Sequence, residues 1–272
     1  VIKDLIAPLD ALVKAAGDAI LEVYNQVGEL NVDAKQDNSP LTEADRRAHQ
    51  ILVEGLTKLT PQWPVLSEES VLPEFAERKQ WGTYWLVDPL DGTKEFIGRN
   101  GEFTVNVALI RDGEPVAGWV WVPVMNVLYR GICLDAQKEA VVVRDGQLSA
   151  MKTRAVSVSS LAMVASRRHG GEALEGLLKK IEGKFGAIQM KSMGSSLKIC
   201  MVAEGEADWY PRLAPTSEWD TAAAHAVLRG AGGDIMNLQL QPLRYNQKSD
   251  ILNPHFHALG DLNYGWSTLI SQ

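Results

Sequence analysis

The chain has 272 residues, 46% of them hydrophobic and 22% charged, which suits an ordinary folded protein and excludes a disordered or collagenous one. That length supports one large domain or two packed subdomains, each with its own apolar layer. A formal net charge of -7 argues against broad nucleic-acid binding, which draws most of its affinity from Lys and Arg neutralising phosphates. Any phosphorylated ligand has to be met by local basic residues or by metal.

Ile2, Leu5, Ile6, Leu9, Leu12, Val13, Ala16, Ile20 and Val23 recur at helical spacing, so an amphipathic helix is expected over residues 1–27. Pro8 is tolerable there if it falls near the first turn. Lys3, Asp4, Asp10, Lys14 and Asp18 are interspersed among these apolar residues, a pattern that fits neither a signal peptide nor a membrane span. A cytoplasmic location is expected, with peripheral association with the inner membrane left open. The start at Val1 in place of Met is read as trimming or processing.

A polar loop from Lys35 to Pro40 follows. Thr42-Glu43-Ala44-Asp45 then reads as a helix start, a capping hydroxyl with an acid three residues on, leading to a helix that ends at about Leu59. Pro64-Val65-Leu66 reads as a short buried strand followed by Ser67, Glu68 and Glu69. Tyr84-Trp85-Leu86-Val87 reads as a strand ending in Asp88. There Pro89 sets a turn, so that the Leu90 carbonyl and Asp91 face the same side as Asp88. Hard cations such as Mg²⁺ prefer such oxygen ligands. The free N–H groups of Gly92 and Thr93 stand where a helix can begin, a position that favours bound phosphate.

From Phe103 the pattern becomes a run of strands, 104–110, 116–122, 127–132 and 140–143, separated by Asp112-Gly113, Pro123 and Asp145-Gly146 turn chemistry. An antiparallel sheet is expected. Beyond about Val156 strands and helices alternate: strand 163–165, helix 172–181, strand 187–190, helix 196–203, strand 207–210 and helix 221–228. The boundary is placed near residues 150–158, giving an N-terminal unit 1–155 and a C-terminal unit 156–272. Cys133 and Cys200 lie far apart in apolar stretches, without a second thiol or His at zinc-ligand spacing, and read as reduced core residues.

Each acidic segment taken singly has a plain explanation. Asp, Pro and Gly are ordinary turn residues, and Leu90 and Gly92 exclude an EF-hand loop. Glu68 and Glu69 fit a solvated pair as well as a ligand pair. Asp45 and Asp220, each near a helix start, can serve the helix dipole. Taken together the acids point to metal, because a fold that gathers several carboxylates in one cleft has to neutralise them.

Four segments occur in the order typical of one family. They are Lys35-x-Asp37-x-Ser39-Pro40-x-Thr42-x-Ala44-Asp45, Ser67-Glu68-Glu69-Ser70, Asp88-Pro89-Leu90-Asp91-Gly92-Thr93 and Trp219-Asp220-x-Ala222-Ala223. The chain resembles the inositol monophosphatase superfamily of Mg²⁺-dependent, lithium-sensitive phosphatases. Tyr84 to Phe96, Arg99-Asn100-Gly101-Glu102-Phe103-Thr104 and Gly194-Ser195-Ser196-Leu197-Lys198 resemble its CysQ-type 3'(2'),5'-bisphosphate nucleotidases. The resemblance implies an α+β or α/β fold, a layered αβαβα sandwich of two packed subdomains. It also implies hydrolysis of the 3'-phosphate of adenosine 3',5'-bisphosphate to AMP and phosphate, linked to sulfate assimilation, with the sulfated precursor as a further substrate of some members.

Carried over by residue, the resemblance makes Glu68, Asp88 and the Leu90 carbonyl ligands of one Mg²⁺, and Asp88, Asp91 and Asp220 ligands of a second. A third, weaker ion lies near Asp45 and Glu68. Thr93 orients the attacking water, and Gly92 and Thr93 meet the phosphate. Ser195, Lys198, His169 and Arg212 match positions that hold the 5'-phosphate and ribose. Without the resemblance, Lys198 and Arg212 read as solvated charges, His169 as part of a basic loop, and His225 as a packed or partly exposed histidine. Ala224 and Gly230 depart from the superfamily pattern and leave the fine packing of their helix open. The competing functions are an inositol or sugar monophosphatase with the same metals, and a non-catalytic nucleotide or metal sensor.

Overall fold

The computed structural model describes residues 2–27, 40–134, 137–165 and 171–270. Helices α1 (Ile2–Val27) and α2 (Pro40–Leu59) lead into β1 (Val65–Ser67), the short α3 (Phe75–Arg78), β2 (Thr83–Asp91) and α4 (Thr93–Ile97). A meander follows: β3 (Thr104–Arg111), β4 (Glu114–Val122), β5 (Val127–Leu134), β6 (Gln137–Arg144) and β7 (Gln147–Ala150). The remainder comprises β8 (Leu161–Ala165), α5 (Gly171–Ile181), β9 (Ile188–Ser192), α6 (Leu197–Ala203), β10 (Trp209–Arg212), α7 (Glu218–Ala231), β11 (Asp234–Asn237), β12 (Phe256–Leu259) and α8 (Ser267–Ile270).

The first seven strands form one sheet in chain order, antiparallel except for the parallel β1–β2 pair. The last five form a second sheet in the order β11-β12-β10-β8-β9. Strand alternation sends successive side chains to opposite faces. In β2, Trp85 and Val87 join a core with Leu9 and Ile20 of α1 and Leu52 and Leu56 of α2. Tyr84 and Leu86 face the other way, into a core with Cys200 and Val202 of α6, Ala223 and Val227 of α7, and Val164, Tyr210 and Phe256 of the second sheet. The far side of that sheet is closed by Ile181 of α5 and Leu269 of α8 packed on Leu161 and Met163. Five layers result, in the αβαβα order expected. Both cysteines are free and buried, as read from the sequence.

Helix α7 lies unusually close to the first sheet. A Cβ on Gly118 would stand 2.2 Å from the Ala223 carbonyl oxygen, and one on Gly131 would stand 2.3 Å from the Val227 Cα. Gly230, one of the two departures from the family pattern, lets the same helix approach β6. There a Cβ would meet the Glu139 carbonyl oxygen at 2.2 Å.

Several details differ from the expectations. Helix α2 begins at Pro40, so Thr42 lies inside it and is not the cap. Proline is favoured in a first turn, where its missing N–H costs nothing. Pro8 lies in the second turn of α1, where it removes one intrahelical bond. β2 runs through Asp88 to Asp91 with a register shift between them, so Pro89 occupies a bulge and not a turn. The wholly exposed β7 and the four-residue elements α3, β11, β12 and α8 are additional to the sequence reading. The segment at 35–39 and His169 lie outside the described residues.

Candidate active site

Parallel pairing of β1 with β2 sets Ser67 opposite Val87, so the next residues, Glu68 just past the end of β1 and Asp88 within β2, come out side by side. The Glu68 N–H donates to the Val87 carbonyl at 3.1 Å. Asp88 follows Tyr84 and Leu86 on the face that α7 covers, and the first turn of α7 carries Asp220. Carboxylate oxygens of Glu68, Asp88 and Asp220, from three separate segments, lie within 4.8 Å of one another.

Asp91 stands beyond the bulge. Its Oδ2 accepts the Ser196 N–H at 2.6 Å and lies 3.5 Å from both Thr104 Oγ1 and Asn106 Nδ2. The Leu90 N–H closes the bulge onto Asp88 Oδ1 at 3.1 Å, and the Ser217 N–H donates to Asp220 Oδ2 at 2.9 Å. Gly92, the cap of α4, has φ 98°, and a Cβ there would lie 3.3 Å from that of Ser195. Only glycine suits both the left-handed backbone and the close approach.

These acids raise one another's pKa. Burial, then Asp91 and Glu68, push Asp220 up to about 7. Burial, then Glu69 and Glu68, push Asp45 up to about 8. Asp88 is driven well above the carboxylate range by burial, then by Asp91 and Glu68; Glu68 and Asp91 are raised chiefly by burial. Carboxylates this close disfavour one another's charged form, so without a cation the group is not fully ionised. The cluster contains oxygen donors and neither thiol nor imidazole, the donor set a hard divalent cation takes. A cation there would replace the protons the acids otherwise retain.

Basic residues line the cleft as well. Asp91, Gly92, Ser195, Lys198, Tyr210, Arg212 and Asp220 line one continuous depression. Lys198 is not a solvated charge: it is 5% exposed, and its Nζ donates to the Ser195 carbonyl at 2.6 Å and the Met193 carbonyl at 3.3 Å. Burial pulls it down to about 8 although Asp91 opposes the shift. Arg212 is half-buried and donates to the carbonyls of Ala214 and Pro215 at 3.1 and 3.0 Å. Ser195 adopts φ 43°, and the turn it shapes is held by Glu102, whose Oε2 accepts the Gly194 N–H at 2.7 Å.

Glu68, Asp88, Asp91 and Asp220 are therefore brought together, with Asp45 facing Glu68 from α2. Ser195, Lys198 and Arg212 line the same depression as Asp91 and Asp220. Thr93 is exposed at the first position of α4, and the Leu90 side chain is buried. Ser196, Thr104 and Asn106, which hold Asp91, were not singled out from the sequence. Thr104 and Asn106 are two apart on β3 and share a face, a signal that period-two alternation carries.

An αβαβα sandwich with clustered carboxylates between its sheets and basic residues lining the same cleft is the form of a metal-dependent phosphatase. The chain belongs to the inositol monophosphatase family, which it matches over residues 3–263, and that family is metal-dependent. It is 49% identical over 247 residues to the 3'(2'),5'-bisphosphate nucleotidase CysQ of Escherichia coli strain K12, a match covering 91% of this chain and 96% of the relative. It is 37% identical to the protein of the same name from Haemophilus influenzae, covering 93% and 92% of the two chains. Among solved structures, CysQ from Bacteroides thetaiotaomicron superposes with a TM-score of 0.82 at 42% identity, covering 95% of this chain and 97% of that one. An inositol monophosphatase from Zymomonas mobilis, 24% identical, shares the fold with a TM-score of 0.77 over 98% and 96% of the two chains. Among the described residues no helix is long and apolar enough to cross a membrane.

Proposed function

We propose that this protein is a Mg²⁺-dependent 3'(2'),5'-bisphosphate nucleotidase that hydrolyses the 3'-phosphate of adenosine 3',5'-bisphosphate, giving AMP and phosphate. The reading is carried by one juxtaposition: Glu68, Asp88 and Asp220 gathered within 4.8 Å as an acidic wall, with Asp220 and Asp91 lining the same depression as the basic wall of Lys198 and Arg212. One phosphate suits the acidic wall only through a cation, and a second suits the basic wall directly.

In this assignment Glu68, Asp88 and the Leu90 carbonyl hold one Mg²⁺, Asp88, Asp91 and Asp220 a second, and Asp45 with Glu68 border a weaker third. The ions supply Lewis acidity, lowering the pKa of water and offsetting charge on the phosphoryl and leaving oxygens. Thr93 orients the attacking water, and the Gly92 and Thr93 amides at the start of α4 take phosphate oxygens. Ser195, Lys198, Arg212 and His169 receive the 5'-phosphate and ribose. Residues 1–155 thus supply most of the metal site, and 156–272 supply Asp220 and the substrate reader. The sulfated precursor carries the same 3'-phosphate and differs by the sulfate on its 5'-phosphate, so we propose it as a second substrate, and a cytoplasmic setting within sulfate assimilation fits both.

An inositol or sugar monophosphatase would share the acidic wall, but a polyol gives a buried ammonium and a guanidinium nothing to neutralise. A sensor would have no use for Thr93. The test is phosphate release with Mg²⁺ from adenosine 3',5'-bisphosphate, inositol 1-phosphate and fructose 1,6-bisphosphate. The bisphosphorylated nucleotide is expected to give the highest kcat/KM, and a preference for either other substrate would overturn the proposal.

A further inference from the structure

His225 lies near the middle of α7, 1% exposed, away from the cleft. Its Nε2 is 2.5 Å from Asp234 Oδ1, and its Nδ1 is 2.9 Å from the hydroxyl of Tyr245, which is fully buried. The Tyr245 hydroxyl is in turn 3.1 Å from Thr221 Oγ1, and Thr221 Oγ1 accepts from Asn253 Nδ2 at 3.0 Å. The chain of contacts runs from β11 along α7 to the turn that precedes it.

The chemistry gives the Asp234–His225–Tyr245 part of this chain one direction. A carboxylate only accepts, so the His225 proton nearest Asp234 sits on Nε2 and Nδ1 is left as an acceptor. Burial holds the imidazole pKa below its usual range against the pull of Asp234, which keeps the ring neutral with a single proton. Tyr245 therefore donates to His225, and Thr221 Oγ1, which accepts from Asn253, has its one proton within reach of both the Tyr245 oxygen at 3.1 Å and the Glu218 carbonyl at 3.2 Å. Hydrogen bonds ordered head to tail polarise and strengthen one another.

The far end of the chain reaches the acidic cluster. Asn253 Nδ2 also donates to the Ser217 carbonyl at 2.7 Å and approaches Thr216 Oγ1 at 3.2 Å. Asn253 Oδ1 is buried with no partner among the described residues, so the orientation of the amide is dictated by what its nitrogen meets. Ser217 in turn gives its N–H to Asp220 Oδ2 at 2.9 Å. We infer that Asp234, His225, Tyr245 and Thr221 form a positioning relay that, through Asn253 and Ser217, sets the orientation of the Asp220 carboxylate for cation binding. The inference rests on the reading of Asp220 as a metal ligand.

The test is calorimetric titration with Mg²⁺ alone, with thermal melts, on wild type, Asp220→Asn, Tyr245→Phe and Asp234→Asn. Tyr245→Phe removes one hydroxyl and keeps the ring. Asp234→Asn can donate to Nε2 and so drives the His225 proton to Nδ1, which ¹⁵N NMR of the imidazole reads directly. Partners one shell beyond a metal ligand change affinity by about 10–100-fold, and at this greater remove each relay variant is expected to weaken Mg²⁺ binding about three- to tenfold. The lost activity should return at higher Mg²⁺. Wild-type Mg²⁺ affinity in both relay variants, alongside a weakened Asp220→Asn, would overturn the relay while leaving the metal site standing. Wild-type affinity in Asp220→Asn would overturn the ligand reading and the relay with it. If Tyr245→Phe fails to fold, Asp234→Asn decides by the same two readouts.

Discussion

The Ser196 N–H donates to Asp91 Oδ2 at 2.6 Å, joining the acid at the end of β2 to the turn before α6. The same turn offers the Ser195 carbonyl to Lys198 at 2.6 Å. One short segment thus positions both the acid proposed to hold the cation and the base proposed to meet the substrate.

Asp91→Asn keeps the size of the side chain and removes the charge that a cation requires. Activity is expected to fall at least about a hundredfold, more than is typical for a group one shell further from a metal. Phosphate release over a Mg²⁺ titration measures it. Wild-type turnover in excess chelator would remove the metal from the account altogether.

The raised acids also predict how stability depends on pH. Asp220, up to about 7, and Asp45, up to about 8, retain protons in the folded cation-free protein that the unfolded chain releases at about 3.9. The folded state binds more protons across that window, so these groups cost stability as pH rises through it. A cation that replaces the protons removes the cost. The Mg²⁺-induced rise in Tm should therefore be larger near pH 8 than near pH 5.5. Equal shifts at the two pH values would contradict the proposed competition between proton and cation.

Close seating of α7 predicts opposite effects from one substitution at two glycines. A Cβ on Gly131 would stand 2.3 Å from the Val227 Cα and 2.4 Å from the Ala226 carbonyl oxygen, so Gly131→Ala has to move the helix. Overpacking of this kind costs about 1–3 kcal/mol, and Tm should fall by several degrees. Gly176 in α5 is exposed with nothing near its missing Cβ, so Gly176→Ala should gain about 0.5–1 kcal/mol from helix propensity. Paired thermal melts decide it, and a stabilised Gly131→Ala would contradict the packing described.

What could be read in advance follows the range of the forces involved. Glu68 and Asp88 were legible because each follows an apolar run, and their adjacency needs only the β1–β2 pairing. Asp220 reaches them because Gly118 and Gly131 let α7 lie on the sheet, and a strand glycine in a one-dimensional pattern looks merely like a weak point. Without the family resemblance Lys198 reads as solvated, because a lysine on a helix usually is. Its actual partners are backbone carbonyls of a turn, which leave no mark in composition. Thr42 misled as a cap because the helix starts earlier, on proline. β12 was missed because four residues beside Asn253-Pro254-His255 present too short an alternation, although Phe256 and Ala258 are fully buried.

The central claim, that the cation site takes the 3'-phosphate while the basic wall holds the 5'-phosphate, is tested most directly by ³¹P NMR of the products from adenosine 3',5'-bisphosphate, with kcat/KM for wild type and Arg212→Ala. A charge-assisted contact is worth about 1.5–3 kcal/mol, so Arg212→Ala should lower kcat/KM on the bisphosphate by about tenfold or more and barely alter that on inositol 1-phosphate. Arg212 is the better probe of the pair, because Lys198 also braces the turn that holds Asp91. The account predicts AMP and one equivalent of phosphate, with a loss in Arg212→Ala confined to the bisphosphate. Adenosine 3'-phosphate as the product, or equal losses on both substrates, would contradict it.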